Sequence, residues 1–155
     1  MTSPIHGTFA RVPPSILGKA EDWKLAPAWF VLNPRWFGQK QDWRAARGRW
    51  CRIKSAHGAV YRAVQFAPNL EYSNKRSVPA GRILIDWSAW AELSGLEERE
   101  DELALEIRPV GVPGMVSASV NHPDPGQRVA AWVAVVSLAL GRLSILLAIA
   151  AFLVR

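Results

Sequence analysis

Val129–Val154 reads VAAWVAVVSLALGRLSILLAIAAFLV, 26 residues with one charged side chain, Arg142. Wound as a helix at about 1.5 Å per residue, it would run roughly 39 Å, more than the ~30 Å hydrocarbon core of a bilayer. The competing reading is a buried helix of a water-soluble fold. A helix apolar all round needs neighbours on every side, and the 128 residues before it could hardly supply them. The stretch therefore predicts a transmembrane helix.

Arg142 sits at its middle, where insertion of an arginine costs about 2.5–3.5 kcal/mol. The same stretch holds 14 Leu, Ile, Val and Phe residues. At about 0.3–0.6 kcal/mol each they return roughly 4–8 kcal/mol as an upper estimate, so apolar gain wins by a few kcal/mol. An intramembrane charge ordinarily finds a partner, and this span contains no acid of its own. An ionic partner at that depth must come from another polypeptide; otherwise Arg142 snorkels to the headgroups. Ser137, Gly141, Ser144 and Ala148 follow at steps of four, three and four, which lines small groups along one helix face open to close helix approach.

Residues 1–20 are broken by Pro4, Pro13 and Pro14 and contain no apolar core of a secretory signal. Seventeen basic residues precede the span, and the lone Cys51 suits a reducing compartment. These features predict a single-pass, tail-anchored membrane protein with its bulk in the cytoplasm.

The soluble part divides into an irregular proline-rich arm (1–28), a small β-rich domain (29–110) and a Pro/Gly linker (111–128) before the helix (129–154). Trp29, Trp36, Trp43 and Trp50 recur every seven residues, but Pro34 and Gly38 interrupt any long helix. That leaves residues 39–49 as a short one, with the tryptophans expected to anchor a core. WCRIK (50–54) and AVYRAVQF (59–66) flank Ala56-His57-Gly58 and read as a hairpin. RILID (82–86) reads as a strand, and WSAWAELSGL (87–96) as a helix with Asp86 at its N-cap and Gly95 near its end. LALEIRPV (103–110) reads as a strand, and a short strand fits Met115–Val120 within a semi-extended linker. The fold class is α+β: a small mostly-β cytosolic domain with a short helix, plus one C-terminal transmembrane helix.

Charge is uneven. Arg11–Arg82 carries 14 basic and 4 acidic residues, whereas Asp86–Glu106 carries 8 acids and Arg99. The split either makes two faces of opposite sign or is interleaved away by folding. Trp43, Arg44, Arg47, Arg49, Trp50, Arg52 and Lys54 form a basic, aromatic interaction patch. Its candidate ligands are, in order, an acidic partner protein, anionic lipid headgroups and nucleic acid.

No G-x-S-x-G, GxxxxGK[ST] or G-x-G-x-x-G occurs. His6, His57 and His122 lack metal-ligand spacing, and one cysteine cannot build a thiolate zinc site. A Cys51–His57 nucleophile pair can be drawn, but nothing orients the histidine. The expectation is a non-catalytic accessory or scaffold subunit of a larger membrane assembly, without metal or cofactor. Its intramembrane contacts with other membrane subunits would be Arg142, Ser137, Gly141, Ser144 and Ala148. The alternative is a membrane-tethered nucleic-acid-binding module built on residues 43–54.

Overall fold

A computed structural model of the chain describes residues 4–12, 28–38, 44–65, 78–95 and 102–153. Six strands close into a barrel: β1 (Ile5–Arg11), β2 (Trp29–Val31), β3 (Trp50–Lys54), β4 (Ala59–Gln65), β5 (Arg82–Ile85) and β6 (Glu102–Pro109). Their order around the barrel is β1-β5-β2-β4-β3-β6. A 3-10 turn, Pro34–Phe37, follows β2, and three helices complete the chain: α1 (Trp87–Ser94), α2 (Val112–Val120) and α3 (Pro125–Leu153). The β1/β5 and β2/β4 pairs are parallel and the remaining four are antiparallel.

Alternation along the strands explains the closure. In β3 and β6, Cys51, Ile53, Leu103, Leu105 and Ile107 turn inward, while Arg52, Lys54, Ala104 and Arg108 turn out. Phe9, Phe30, Ile53, Ile83, Ile85 and Ile107 fill the interior. Helix α1 adds Ala89, Trp90 and Leu93 to the same core. Its ends are set as the sequence predicts: Asp86 Oδ2 accepts from the Ala89 N–H at 3.0 Å, and Gly95 closes it in the left-handed region at φ 82°.

The β3–β4 hairpin also follows the sequence, in register from Trp50 opposite Ala63 to Lys54 opposite Ala59. Its turn is tied to α1. The buried Ser55 hydroxyl donates to the Leu93 carbonyl at 2.6 Å and accepts from the His57 and Gly58 N–H groups. Gly58 is required by close approach, because a Cβ there would lie 2.6 Å from the Glu92 carbonyl oxygen.

Three expectations change. The arm assigned to residues 1–28 contains β1, which pairs with β6 from Ile5 opposite Ile107 to Ala10 opposite Glu102. Its signal is weak locally because its partner lies about a hundred positions away in the chain. The strand expected at Met115–Val120 is helical, within α2. A closed barrel offers no free edge to a seventh strand, so this segment satisfies its backbone within itself. Pro113 supports the helix start, and the Asn121 amide donates to the Ser117 carbonyl at its end.

The linker, finally, is not an extended tether. Asp124 accepts from the Gln127 N–H at 3.1 Å and Pro125 opens α3, so the C-terminal helix begins before Val129 and only residues 121–124 separate it from α2. At the predicted 39–49 helix, residues 44–46 are helical, and residues 39–43 lie outside the described residues.

Candidate functional site

Helix α3 runs 29 residues, about 43 Å, and none of it is buried. It is long and apolar enough to cross a membrane. From residue 129 to 153 the one position with partial cover is Ala131. Protein contact therefore ends one turn past Arg128, and the surface beyond it is mostly Leu, Val, Ile, Ala and Phe, with Trp132, Ser137, Gly141, Ser144 and Arg142 among them.

At 100° per residue, Ser137, Gly141, Ser144 and Ala148 fall within about 60° of arc, so the helix does bring these four together. Nothing lies within 4 Å of a Cβ placed on Gly141, which leaves the stripe open. Arg142 is not on it. The guanidinium stands about 130° round the axis from the stripe's centre, on the same side as Ala131 and three turns further along. A partner seated on the stripe does not thereby meet Arg142. Ser144 is already satisfied, since its hydroxyl donates to the Leu140 carbonyl at 2.9 Å.

The basic patch spreads over the end of the barrel where β3 begins. Arg44, Arg47 and Arg49 are exposed before the strand, and Arg52 and Lys54 project outward along it. Trp43 lies outside the described residues. Trp50 is half-buried, with its ring edge-on to His122 at 5.9 Å, and its carbonyl accepts from the Val110 N–H at 3.0 Å. These contacts place the start of β3, the end of β6 and the α2–α3 turn together. Arg108, absent from the sequence-derived patch, joins it because β6 pairs with β3: Arg52 lies directly opposite Arg108, and Lys54 opposite Glu106. Glu106 also pairs with Arg108 and stands 4.0 Å from His6. Strand pairing was the missing signal.

A second charged cluster lies where β5 meets α1. Arg62, only 6 % exposed, donates through Nε and Nη2 to the two Asp86 carboxylate oxygens at 2.7 and 3.0 Å, and through Nη1 to the Tyr61 carbonyl. Burial alone would raise the Asp86 pKa. The hydrogen bonds from Arg62 and Ser88, the guanidinium charge and the Ala89 N–H together outweigh it, and the carboxyl falls to about 2. Arg11 lies over the exposed Trp87 ring at 4.9 Å, with burial lowering its pKa against the opposing pull of Asp86. Every acceptor on Asp86 is thus committed to Arg62 or to capping and orienting α1, which makes this a structural joint. Asp86 and Glu106, both from the acidic segment, lie against cations of the basic segment, so folding interleaves part of the charge split.

Cys51 and His57 do not form a pair. Cys51 lies near the start of β3 and His57 in the turn beyond its far end, packed near Gly95. Burial pushes the Cys51 thiol up to about 12 in spite of nearby Arg49, so thiolate chemistry is closed to it. Among the described residues, no cluster of His, Cys, Asp and Glu is arranged to hold a metal ion.

No family model matches the chain, and no curated protein matches it. Among solved structures, it is similar to the apo form of an expansin from Clavibacter michiganensis, with 14% identity and a TM-score of 0.46 over 72% of this chain and 52% of that one. A mutant form of that expansin in complex with cellohexaose matches with 12% identity and a TM-score of 0.42, over 70% of this chain and 51% of the other. The chain spans about half the length of these structures. Likenesses this distant do not say what the chain binds.

Proposed function

We propose that the chain is a non-catalytic accessory subunit of a larger membrane assembly, with α3 crossing the bilayer and the barrel docked on the cytosolic side. One observation carries this reading: the barrel completes its core without α3, which leaves a 29-residue helix with no buried residue and Arg142 in the middle of its apolar stretch. Lipid accommodates the apolar surface, and an acidic or polar group of a neighbouring subunit accommodates Arg142. Because Arg142 and the small-residue stripe face different sectors, the helix suits a groove between larger subunits better than a single helix partner.

Exchanging Arg142→Leu in the full chain is expected to leave membrane insertion intact and to reduce co-purification of the partner subunits. Gly141→Leu tests the stripe separately. Co-purification unchanged in both variants contradicts the proposal. The nucleic-acid reading loses support from the geometry, since the Trp50 ring, offered for base stacking, is held against His122.

A further inference from the structure

We propose that α2 and the adjoining end of the barrel form a second membrane contact, lying on an anionic bilayer surface beside the point where α3 enters. The inference rests on α3 spanning the bilayer, and adds a lipid-headgroup site to that reading.

Helix α2 buries Ala118 and leaves Val112, Met115 and Val116 at 74, 47 and 48% exposure. Positions i, i+3 and i+4 share one helix face, so these three make a continuous apolar surface. The turn of residues 121–124 joins that helix to the segment that requires lipid, and Ala131 marks where protein cover on α3 ends. An apolar face held this close to the point of entry meets the interfacial region of the bilayer, as amphipathic interfacial helices do.

The charges beside it have the matching sign. Arg52 and Arg108 stand directly opposite each other across β3 and β6, an arrangement that disfavours the sheet unless an anion intervenes. Glu106 is the acid adjoining them; it is ion-paired with Arg108, and Lys54 lines the same depression, so this one acid faces three cations. Arg128 occupies the first turn of α3, where the helix dipole disfavours a cation, with the capping Asp124 as the one acid beside that turn. Lipid phosphates and phosphatidylserine carboxylates are counter-ions suited to these cations. Nucleic acid would answer the cations but would leave Val112, Met115 and Val116 facing water.

The buried native thiol makes a direct test practical, because a cysteine introduced at the surface reacts alone and the unaltered chain serves as the labelling blank. An environment-sensitive fluorophore is placed in the full chain at Val116→Cys, at Ala104→Cys on the far part of β6 and at Leu143→Cys within α3. Each protein is reconstituted into phosphatidylcholine vesicles with or without phosphatidylserine, with nitroxide-bearing lipids as quenchers.

The expected result is quenching at 143 in both vesicles, at 116 strongly with phosphatidylserine and weakly in its absence or in high salt, and at 104 in neither. Charge reversal by Arg52→Glu with Arg108→Glu should lower the quenching at 116, each lost cation weakening the contact about fivefold. Quenching at 116 no greater than at 104, while 143 is quenched, overturns the proposal and leaves the span standing. Loss of quenching at 143 overturns the span itself. Shielding of 116 by an oligonucleotide, without quenching by lipid, assigns the surface to nucleic acid instead and likewise overturns the proposal.

Discussion

The barrel and α3 are opposites in how they satisfy their own chemistry. Among the described residues the barrel leaves no buried side-chain polar atom without a hydrogen-bond partner, and Phe9, Phe30, Ile53, Ile83 and Ile107 are wholly enclosed. Helix α3 satisfies its backbone and the Ser144 hydroxyl, but no residue in it is buried and Arg142 has no acid on its own helix. The first region is stable by what it contains, and the second by what surrounds it. Variants that weaken one should therefore leave the other unchanged.

The largest effect is expected at the Arg62–Asp86 joint. Asp86→Ala leaves a buried guanidinium without its partner and removes the α1 cap, which should cost about 3–5 kcal/mol of barrel stability. Chemical unfolding followed by tryptophan fluorescence measures it, and membrane retention of the chain should not change. A small loss would mean that Arg62 finds water or another acceptor.

Acid probes the same joint. The Asp86 carboxyl lies at about 2 in the folded barrel, below its unfolded value of roughly 3.9. Its stabilisation is therefore complete above about pH 5 and disappears as the pH falls through the unfolded and then the folded value. Asp86→Asn should flatten that part of the stability profile.

Gly95→Ala should cost about 1 kcal/mol, since the new side chain must occupy a left-handed backbone conformation with His57 Cγ 3.1 Å away. Ser144→Ala marks the small end of the scale. The hydroxyl bonds its own helix, so barrel stability should move by less than about 0.5 kcal/mol. A larger shift at Ser144 would show that α3 packs on the barrel after all, and would break the contrast between the two regions.

Elements governed by neighbours in sequence are legible in the sequence itself. Asp86 and Gly95 announce both ends of α1, and Ala56-His57-Gly58 announces the hairpin, because caps and turns are local chemistry. Strand β1 is not, since Ile5 and Phe9 earn their place through β6 and β5, far along the chain. The run HPDPGQ at 122–127 reads as a breaker by composition, yet Asp124 and Pro125 are start signals for the helix they precede. The candidate site divides in the same way. Arg52 and Lys54 were visible as a basic stretch, but Arg108 joins them only through strand pairing. The small residues of α3 and Arg142 share a segment but not a face, a distinction that appears once rotation about the axis is counted.

Fractionation distinguishes a self-sufficient barrel beside a helix that needs lipid from a single water-soluble fold. Membranes from cells producing the full chain are washed with alkaline carbonate, beside those from cells producing a chain ended after Gln127. The full chain is expected to stay in the pellet, while the shortened chain is released as a folded monomer with the unfolding midpoint of the intact barrel. Release of the full chain as a water-soluble monomer, with residues 129–153 protected by its own barrel, would contradict the membrane span.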